Sequence, residues 1–270
     1  MTKLLNGAEI AGFIKERQAR QVRALRQASH VAPKLAIVLT VEHPAINTYI
    51  RMKQRYGADI LVDVDVHRVD QSEAANLITQ LNKDTNVHGI IVQLPLEDPT
   101  QTDQIVNLVA PEKDVDALGQ DATLDPATPL AILWLLAGYN IDLQGKDVVL
   151  VGRGKLVGAP LEKMLLKSGL AVRVIDKSTA DIAAELLPAD VIITATGSPE
   201  LITSDMIKVG AVVIDAGVAG EEGNTIGDVA ADVYDRGDLT ITPVKGGVGP
   251  LTVCTLFDNV IRAASGSEKN

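Results

Sequence analysis

Short apolar runs alternate with segments of helical character along almost the whole of this 270-residue chain, and no other feature restricts its fold so much. KLAIVLTV at 34–41 predicts a buried strand, 44–57 a helix, ADILVDVDV at 58–66 a strand, 72–82 a helix, and GIIVQLPL at 89–96 a third strand. A mixed polar and apolar stretch from Gly7 to about Gln27 precedes them, as expected of a surface helix with a basic outer face. Continuous apolar runs belong to strands covered on both faces, and parallel strands need a helical crossover, so the order predicts an α/β chain with parallel sheet.

The rhythm breaks at PEKDVDALGQDATLDPATP, 111–129, where Asp, Pro and Thr predominate without helical period. Such a loop is functional, disordered or a linker. A Leu-rich helix over 129–139, carrying the single tryptophan Trp134, reads as a spacer between two domains. A second α/β series follows: strand 147–151, a glycine turn, helix 157–168, strands 171–176, 189–197, 210–217 and 239–244, then a closing helix over about 249–264 behind the loop KGGVGP. The length suits two modest domains.

Composition removes several function classes. The formal charge of −10 and pI near 4.9 leave no excess of Lys and Arg to displace counterions, so nucleic acid is not expected as a partner. The one cysteine, Cys254, permits no internal disulfide and reads as a small core residue in a reducing compartment. No run approaches the ~18 apolar residues of a membrane span, and the first residues lack a signal-peptide pattern, so no membrane partner and a cytoplasmic location are expected. His30, His43, His67 and His88 are scattered, no cluster has metal-ligand spacing, and no metal is assigned.

Two places carry the chemistry. In the second half, VVLV runs into Gly152, Arg153, Gly154, three further residues and Gly158, then a helix. This is the arrangement in which backbone amides at a helix start hold a pyrophosphate. Gly152 allows the tight turn, Gly154 close approach of phosphate, and Gly158 packing against the sheet, although GxGxxxG is one residue longer than the common spacing. Asp176 closes the next strand, 24 residues after Gly152, where a ribose-binding acid is expected, and Gly197 ends a later strand after TAT. Asp176 favours the free diol of NAD, whereas Arg153 and Lys177 suit the 2′-phosphate of NADP, so the residues leave the choice open.

In the first half, Pro44 can open a helix that sets Tyr49 and Lys53 four apart on one face. Gln93 lies at a strand's carboxyl end, where parallel sheets bind ligands, and Asp116 lies in the acidic loop. By spacing alone, a packing tyrosine, a solvated lysine and a loop-capping aspartate fit equally well.

TYIRMK, GIIVQLPL, PEKDVDA, GKDVVLVGRGKLVGAP, KVGAVVIDAGV and TPVKGGVGPLT occur in this order over most of the chain. Together they resemble the bifunctional methylenetetrahydrofolate dehydrogenase/methenyltetrahydrofolate cyclohydrolase family. The resemblance implies a three-layer α/β folate-binding catalytic domain (1–128 with 246–270), a Rossmann-like dinucleotide-binding domain (129–245), a final helix returning to the first domain, and a homodimer. It implies that Tyr49 stacks on the aminobenzoyl ring of a reduced folate, that Lys53 serves the cyclohydrolase step, that Gln93 tunes Lys53, and that Asp116 anchors the pterin. Leu94, Pro95, Gly247, Gly249 and Pro250 join the implied substrate contacts. Gly152, Arg153, Gly154, Val157, Gly158, Asp176, Lys177, Thr196, Gly197 and Val218 are the implied cofactor contacts. The implied reaction is hydride transfer from 5,10-methylenetetrahydrofolate to NADP, with NAD kept open by Asp176, and hydrolysis of the methenyl product to 10-formyltetrahydrofolate.

The chain departs from the family pattern at Ile46, where serine is usual, at Ala117 and Gly119 for glycine and histidine, and at Lys245 for proline. PATPLA stands for PCTPxG, Gly154 for the serine of GRS, and Asp176–Lys177 for a His-Ser pair. These differences define two rivals: a dehydrogenase without cyclohydrolase activity, and a non-catalytic nucleotide-binding paralogue.

Overall fold

Two separate parallel sheets organise the chain in the computed structural model, which describes residues 2–217, 219–221 and 224–266. In chain order the elements are β1 (Lys3–Leu4), α1 (Gly7–Ala28), β2 (Lys34–Leu39), α2 (Pro44–Ile60), β3 (Asp63–Arg68), α3 (Gln71–Lys83), β4 (Gly89–Gln93), α4 (Thr102–Val106) and α5 (Ala127–Gly138). There follow β5 (Val148–Val151), α6 (Gly158–Lys167), β6 (Arg173–Ile175), α7 (Ile182–Leu186), β7 (Val191–Thr194), β8 (Val212–Asp215), β9 (Ala219–Glu221), β10 (Asn224–Ile226), α8 (Ala231–Tyr234), β11 (Thr240–Ile241) and α9 (Val248–Gly266). The chain divides into one unit of residues 12–127 with 253 onward, and another of the residues before Gly12 with 128–252.

The first unit holds a three-stranded sheet, ordered β3-β2-β4, with both pairings parallel. β2 is central, which is why Leu35 to Leu39 are all at most 1% exposed, whereas edge strand β3 leaves alternate residues open. Successive strand side chains point to opposite faces. Leu35, Ile37 and Ile91 meet Ala19 and Val22 of α1, Ile60 of α2, and Leu256, Phe257, Val260 and Ile261 of α9. Ala36, Val38, Ile90 and Val92 meet Ala74, Ile78 and Leu81 of α3 and Ile105 and Val106 of α4. The result is the expected three-layer α/β arrangement. Tyr56 stacks on Phe257 at 5.1 Å between centroids, and its hydroxyl lies 2.7 Å from Gln18 Oε1 and 3.2 Å from Cys254 Sγ. Cys254 is fully buried, as expected, and burial pushes its thiol up to about 11.

The second unit holds a six-stranded sheet ordered β1-β11-β8-β7-β5-β6, parallel throughout. From β5 the chain steps to β6 on one side and then to β7 on the other, so the winding reverses at β5. Val149, Val151, Ile192, Val213 and Ile241 form the core of one face with Ile175, Leu186, Ile202 and Val233.

Four sequence expectations are corrected. The strand expected at 58–66 begins only at Asp63, because α2 runs on to Ile60 and stops with Leu61 at φ 66°. The Val62 and Leu61 amides bond back to Gly57 and Ala58, the hydrogen-bond pattern of a Schellman cap, here built on a leucine where glycine would be usual. The helix at 129–139 is no spacer: α5 starts at Ala127, and Ala131, Ile132 and Leu135 are fully buried in the second unit. The residues before Gly12 belong to the second unit and not the first, since Lys3 and Leu4 pair with Thr240 and Ile241 at the sheet edge. Residues 246–252 lie in that unit too, the division falling at Val253 inside α9. The short hairpin β9–β10 was not foreseen from the sequence.

Phe257 is fully buried and contacts α1, α2 and the sheet through one cluster. Phe257→Ala should cost about 3–5 kcal/mol, read as a fall in the urea midpoint by far-ultraviolet circular dichroism.

Candidate active site

Register determines what faces α2. Gln93 pairs with Leu39 at the carboxyl ends of β4 and β2, and it shares a face with Ile91, two residues back, whose neighbours are α1, α2 and α9. The Gln93 side chain therefore points towards α2, and Lys53 Nζ donates to Gln93 Oε1 at 2.9 Å. Gln93 Nε2 in turn donates to the Leu94 carbonyl at 2.9 Å, which fixes the amide with its oxygen towards the lysine. Tyr49, one turn earlier on α2, leaves 42% of its surface open. Burial holds the Lys53 amine below the usual lysine range, and the nearby Asp116 carboxylate acts against that shift. Burial likewise pushes Asp116 up, and the Lys53 charge pulls it back. The structure thus brings Lys53, Gln93 and Asp116 together, with Tyr49 beside them on α2. Leu94 and Pro95, joined by a cis peptide bond, continue from Gln93.

The KDVD stretch distributes its four residues among different tasks. Lys113 Nζ donates to the carbonyls of Leu81, Asn82 and Asp84, capping the end of α3. Asp114 is 4% exposed, bridges beside Ile90 and accepts from the Gly119 amide at 2.8 Å. Val115 is in the core, and its carbonyl accepts from Asn259 of α9 at 2.9 Å. Only Asp116 is left for the site. The acidic segment is therefore an ordered turn at this point and not a linker. Ala117 adopts φ 54°, a left-handed backbone in which the family's glycine would be unstrained. A Cβ at Gly119 would lie 3.0 Å from Asp114 Oδ2, so a larger residue there needs Asp114 to shift.

In the second unit, the winding reversal at β5 makes a crevice between β5 and β7, outside their carboxyl ends, the usual ligand position of an open α/β sheet. The glycine turn lies there. Gly152 has φ 96°, and a Cβ on it would stand 2.9 Å from the Ala195 carbonyl. A Cβ at Gly158 would stand 2.1 Å from the Gly152 carbonyl, so Gly158 packs on the turn itself and not on the sheet expected from the sequence. Around Gly154 the space for a Cβ is open. The cradle fits a pyrophosphate: a tight turn, an unobstructed backbone and the start of α6 behind Val157. Arg153 is bound to Glu162 of α6 through two contacts, 2.8 and 3.0 Å. Asp176 Oδ1 accepts from the Ser178 amide and hydroxyl at 2.8 and 2.6 Å, and these bonds hold its carboxyl below the usual range. Lys177 follows it on the surface. Gly197 is exposed at φ 66°. Val218 lies outside the described residues.

Two family profiles and three relatives agree with this geometry. The catalytic-domain profile of the tetrahydrofolate dehydrogenase/cyclohydrolase family matches residues 5–116, and its NAD(P)-binding-domain profile matches 126–268. The chain belongs to the tetrahydrofolate dehydrogenase/cyclohydrolase family. It is 40% identical to the bifunctional protein FolD of Moorella thermoacetica over 97% of this chain and 98% of that one. The crystal structure of the bifunctional FolD dehydrogenase/cyclohydrolase from Campylobacter jejuni matches at 35% identity and TM-score 0.92, covering 98% and 99% of the two chains. The Trypanosoma brucei FolD structure, complexed with NADP cofactor and an inhibitor, matches at 29% identity and TM-score 0.92, covering 100% of this chain and 99% of that one.

Within this family member, Ile46 is 7% exposed and packs with Leu39 and Ile50, so an apolar contact stands where the family's serine would bring a hydroxyl. Gly247, Gly249 and Pro250 are all in the second unit, at the start of α9. A Cβ at Gly7 would collide with the Gly247 carbonyl at 1.9 Å, and the Ala8 amide donates to Gly246, so α1 and this loop meet backbone to backbone. Pro250 occupies the first turn of α9, where a missing N–H costs nothing. Sequence reasoning missed Asp228, which is fully buried and accepts from Thr194 Oγ1 at 2.5 Å and from the Thr196 amide at 2.7 Å. It fixes the loop that carries Thr196. Asp215, at the end of β8, accepts from the Gly217, Asp228 and Val229 amides, and burial pushes it up to about 6. Both acids sit inside apolar surroundings, which was their only sequence signal. Among the described residues no group of three or more potential ligands could hold a metal, and no helix is long and apolar enough to cross a membrane.

Asp116→Asn removes the one charge that opposes the burial of Lys53, so the Lys53 pKa should fall further; a ¹³Cε NMR titration of the lysine reads this. Ala117→Gly relieves a left-handed alanine, worth about 1–2 kcal/mol, against a loss of about 0.4–1 kcal/mol from the freer unfolded chain. The net gain should raise the thermal midpoint by about 1–3 °C.

Proposed function

We propose that this chain oxidises 5,10-methylenetetrahydrofolate to the methenyl compound with NADP as hydride acceptor, then hydrolyses that product to 10-formyltetrahydrofolate. The observation that carries the second activity is the half-buried Lys53 amine, hydrogen-bonded to Gln93 and facing the charge of Asp116. The family match supports the pair of activities, and the NADP of the Trypanosoma brucei complex supports the cofactor.

The roles follow from the side chains. Tyr49 offers an exposed flat face one helical turn from the amine, suited to stacking on the aminobenzoyl ring. Asp116 receives the hydrogen-bond donors of the pterin, and Leu94 and Pro95 with Gly247, Gly249 and Pro250 supply further substrate contacts. The nicotinamide, when bound, accepts the hydride; the protein's part is to align the two rings. Gly152, Gly154, Val157 and Gly158 would hold the pyrophosphate, Arg153, Asp176 and Lys177 the adenosine ribose, and Thr196 and Gly197 the nicotinamide side, with Val218 a further cofactor contact by family likeness alone. In the hydrolytic step Lys53 moves the proton. A burial-lowered pKa leaves more of the amine neutral at working pH, ready to take a proton from attacking water and return it to the folate nitrogen. Gln93 accepts from the amine and keeps its aim through the bond to Leu94.

The rival dehydrogenase without cyclohydrolase activity rests on Ile46, and the Lys53–Gln93 bond forms with Ile46 in place. The non-catalytic paralogue leaves that buried amine without a purpose. A homodimer, a cytoplasmic location and supply of one-carbon units to purine biosynthesis complete the reading by family likeness.

Lys53→Met should abolish methenyltetrahydrofolate hydrolysis while NADP reduction stays measurable, the two steps being followed separately by absorbance. Equal loss of both in a folded variant would remove the separate role of Lys53.

A further inference from the structure

We infer that Glu162 is a positioning residue for cofactor choice: it holds the Arg153 guanidinium away from the ribose 2′ position and so lowers the preference for NADP over NAD. The inference rests on the dinucleotide reading of the glycine turn and deepens it.

Arg153 follows Gly152 at the end of β5, and Asp176 follows Ile175 at the end of β6. These ends are adjacent, since Val151 pairs with Ile175 and the Gly152 amide donates to the Ile175 carbonyl at 2.8 Å. Two adjacent strand ends thus present one guanidinium and one carboxylate where a ribose diol or its 2′-phosphate is read. The Arg153 charge reaches Asp176, as it contributes to holding that carboxyl down. Arg153 is not free to act there at full strength. Nε meets Glu162 Oε2 at 2.8 Å and Nη2 meets Oε1 at 3.0 Å, the parallel two-bond geometry in which a guanidinium is best satisfied. Glu162 projects from α6, and its side chain is 17% exposed against 60% for Arg153. The carboxylate is the better-fixed partner, and the arginine is the one that must move. A 2′-phosphate would compete with Glu162 for the same donors and also face Asp176, whereas a free diol asks nothing of Arg153 and finds an acceptor in Asp176.

The test is a titration of the full-length chain with NADPH and with NADH, read by the fluorescence of the reduced nicotinamide. Glu162→Gln should tighten NADPH binding by about two- to fivefold, the value of an exposed ion pair, and should move NADH by less than twofold. Glu162→Asp, which keeps the charge on a shorter arm, should restore most of the native ratio. In an Arg153→Ala background, Glu162→Gln should change neither affinity, because its effect passes through Arg153. Equal tightening of both nucleotides, or an effect that persists without Arg153, would overturn the role of Glu162 and leave the dinucleotide site standing. Binding of neither nucleotide by the native chain would overturn the site and the inference together.

Discussion

A lysine amine can be withdrawn from water only where a hydrogen-bonding partner waits for it, and much of the first unit serves to provide one for Lys53. The partner is Gln93, and it faces α2 only because β4 is in register with β2. A slip of one residue would turn Gln93 to the α3 face and bring Val92 beneath the amine. Register is held by apolar side chains buried on both faces of β2, so the core that stabilises the unit also aims the site. The same helix that carries Lys53 is pinned further along by Tyr56, packed on Phe257 and reaching Gln18 and Cys254. Packing and chemistry share one rigid element.

What could be read from the sequence divides by range. The alternating order of strands and helices, the tight turn at Gly152 and the position of Gln93 at a strand end follow from local pattern, and they stand in the structure. The end of α2 did not, because ILVDVDV is equally apolar in helix and strand and its stop rests on a leucine in a left-handed conformation, which carries no sequence signal. β1 escaped because its partner, β11, lies more than 230 residues away. The link from Lys53 to Gln93 spans 40 residues and was available only through family likeness, since spacing alone fitted a surface lysine as well. Asp228 and Glu162 were invisible for a related reason: each is defined by what it touches, Asp228 by Thr196, 32 residues away, and Glu162 by Arg153, nine residues back across the glycine turn and off any helical period.

The four residues of KDVD show why a motif is a poor unit of explanation. One caps a helix, one ties a turn, one fills the core, and one reaches the site. Loss of any of the first three would disturb Asp116 without touching a ligand. The departures at Ala117 and Gly119 belong to this supporting group. A left-handed alanine strains the turn that aims Asp116, and the absent side chain at Gly119 gives Asp114 its room.

Charge sets a final condition on both sites. A chain with a formal charge of −10 repels anions at a distance, yet the proposed ligands are a carboxylate-bearing folate and a dinucleotide. At physiological ionic strength that repulsion is screened within about 8 Å, so recognition has to come from donors in direct contact. The glycine turn answers this with backbone amides, which carry no counter-charge to be neutralised. Side-chain cations are different, because in an acidic protein each tends to find a carboxylate of its own. Arg153 has Glu162, Arg173 has Asp147 and Glu185, and Lys208 has Asp190. A guanidinium already paired within the fold binds a phosphate only by exchanging one anion for another, so its contribution to affinity is the difference between the two contacts and not the whole of the second.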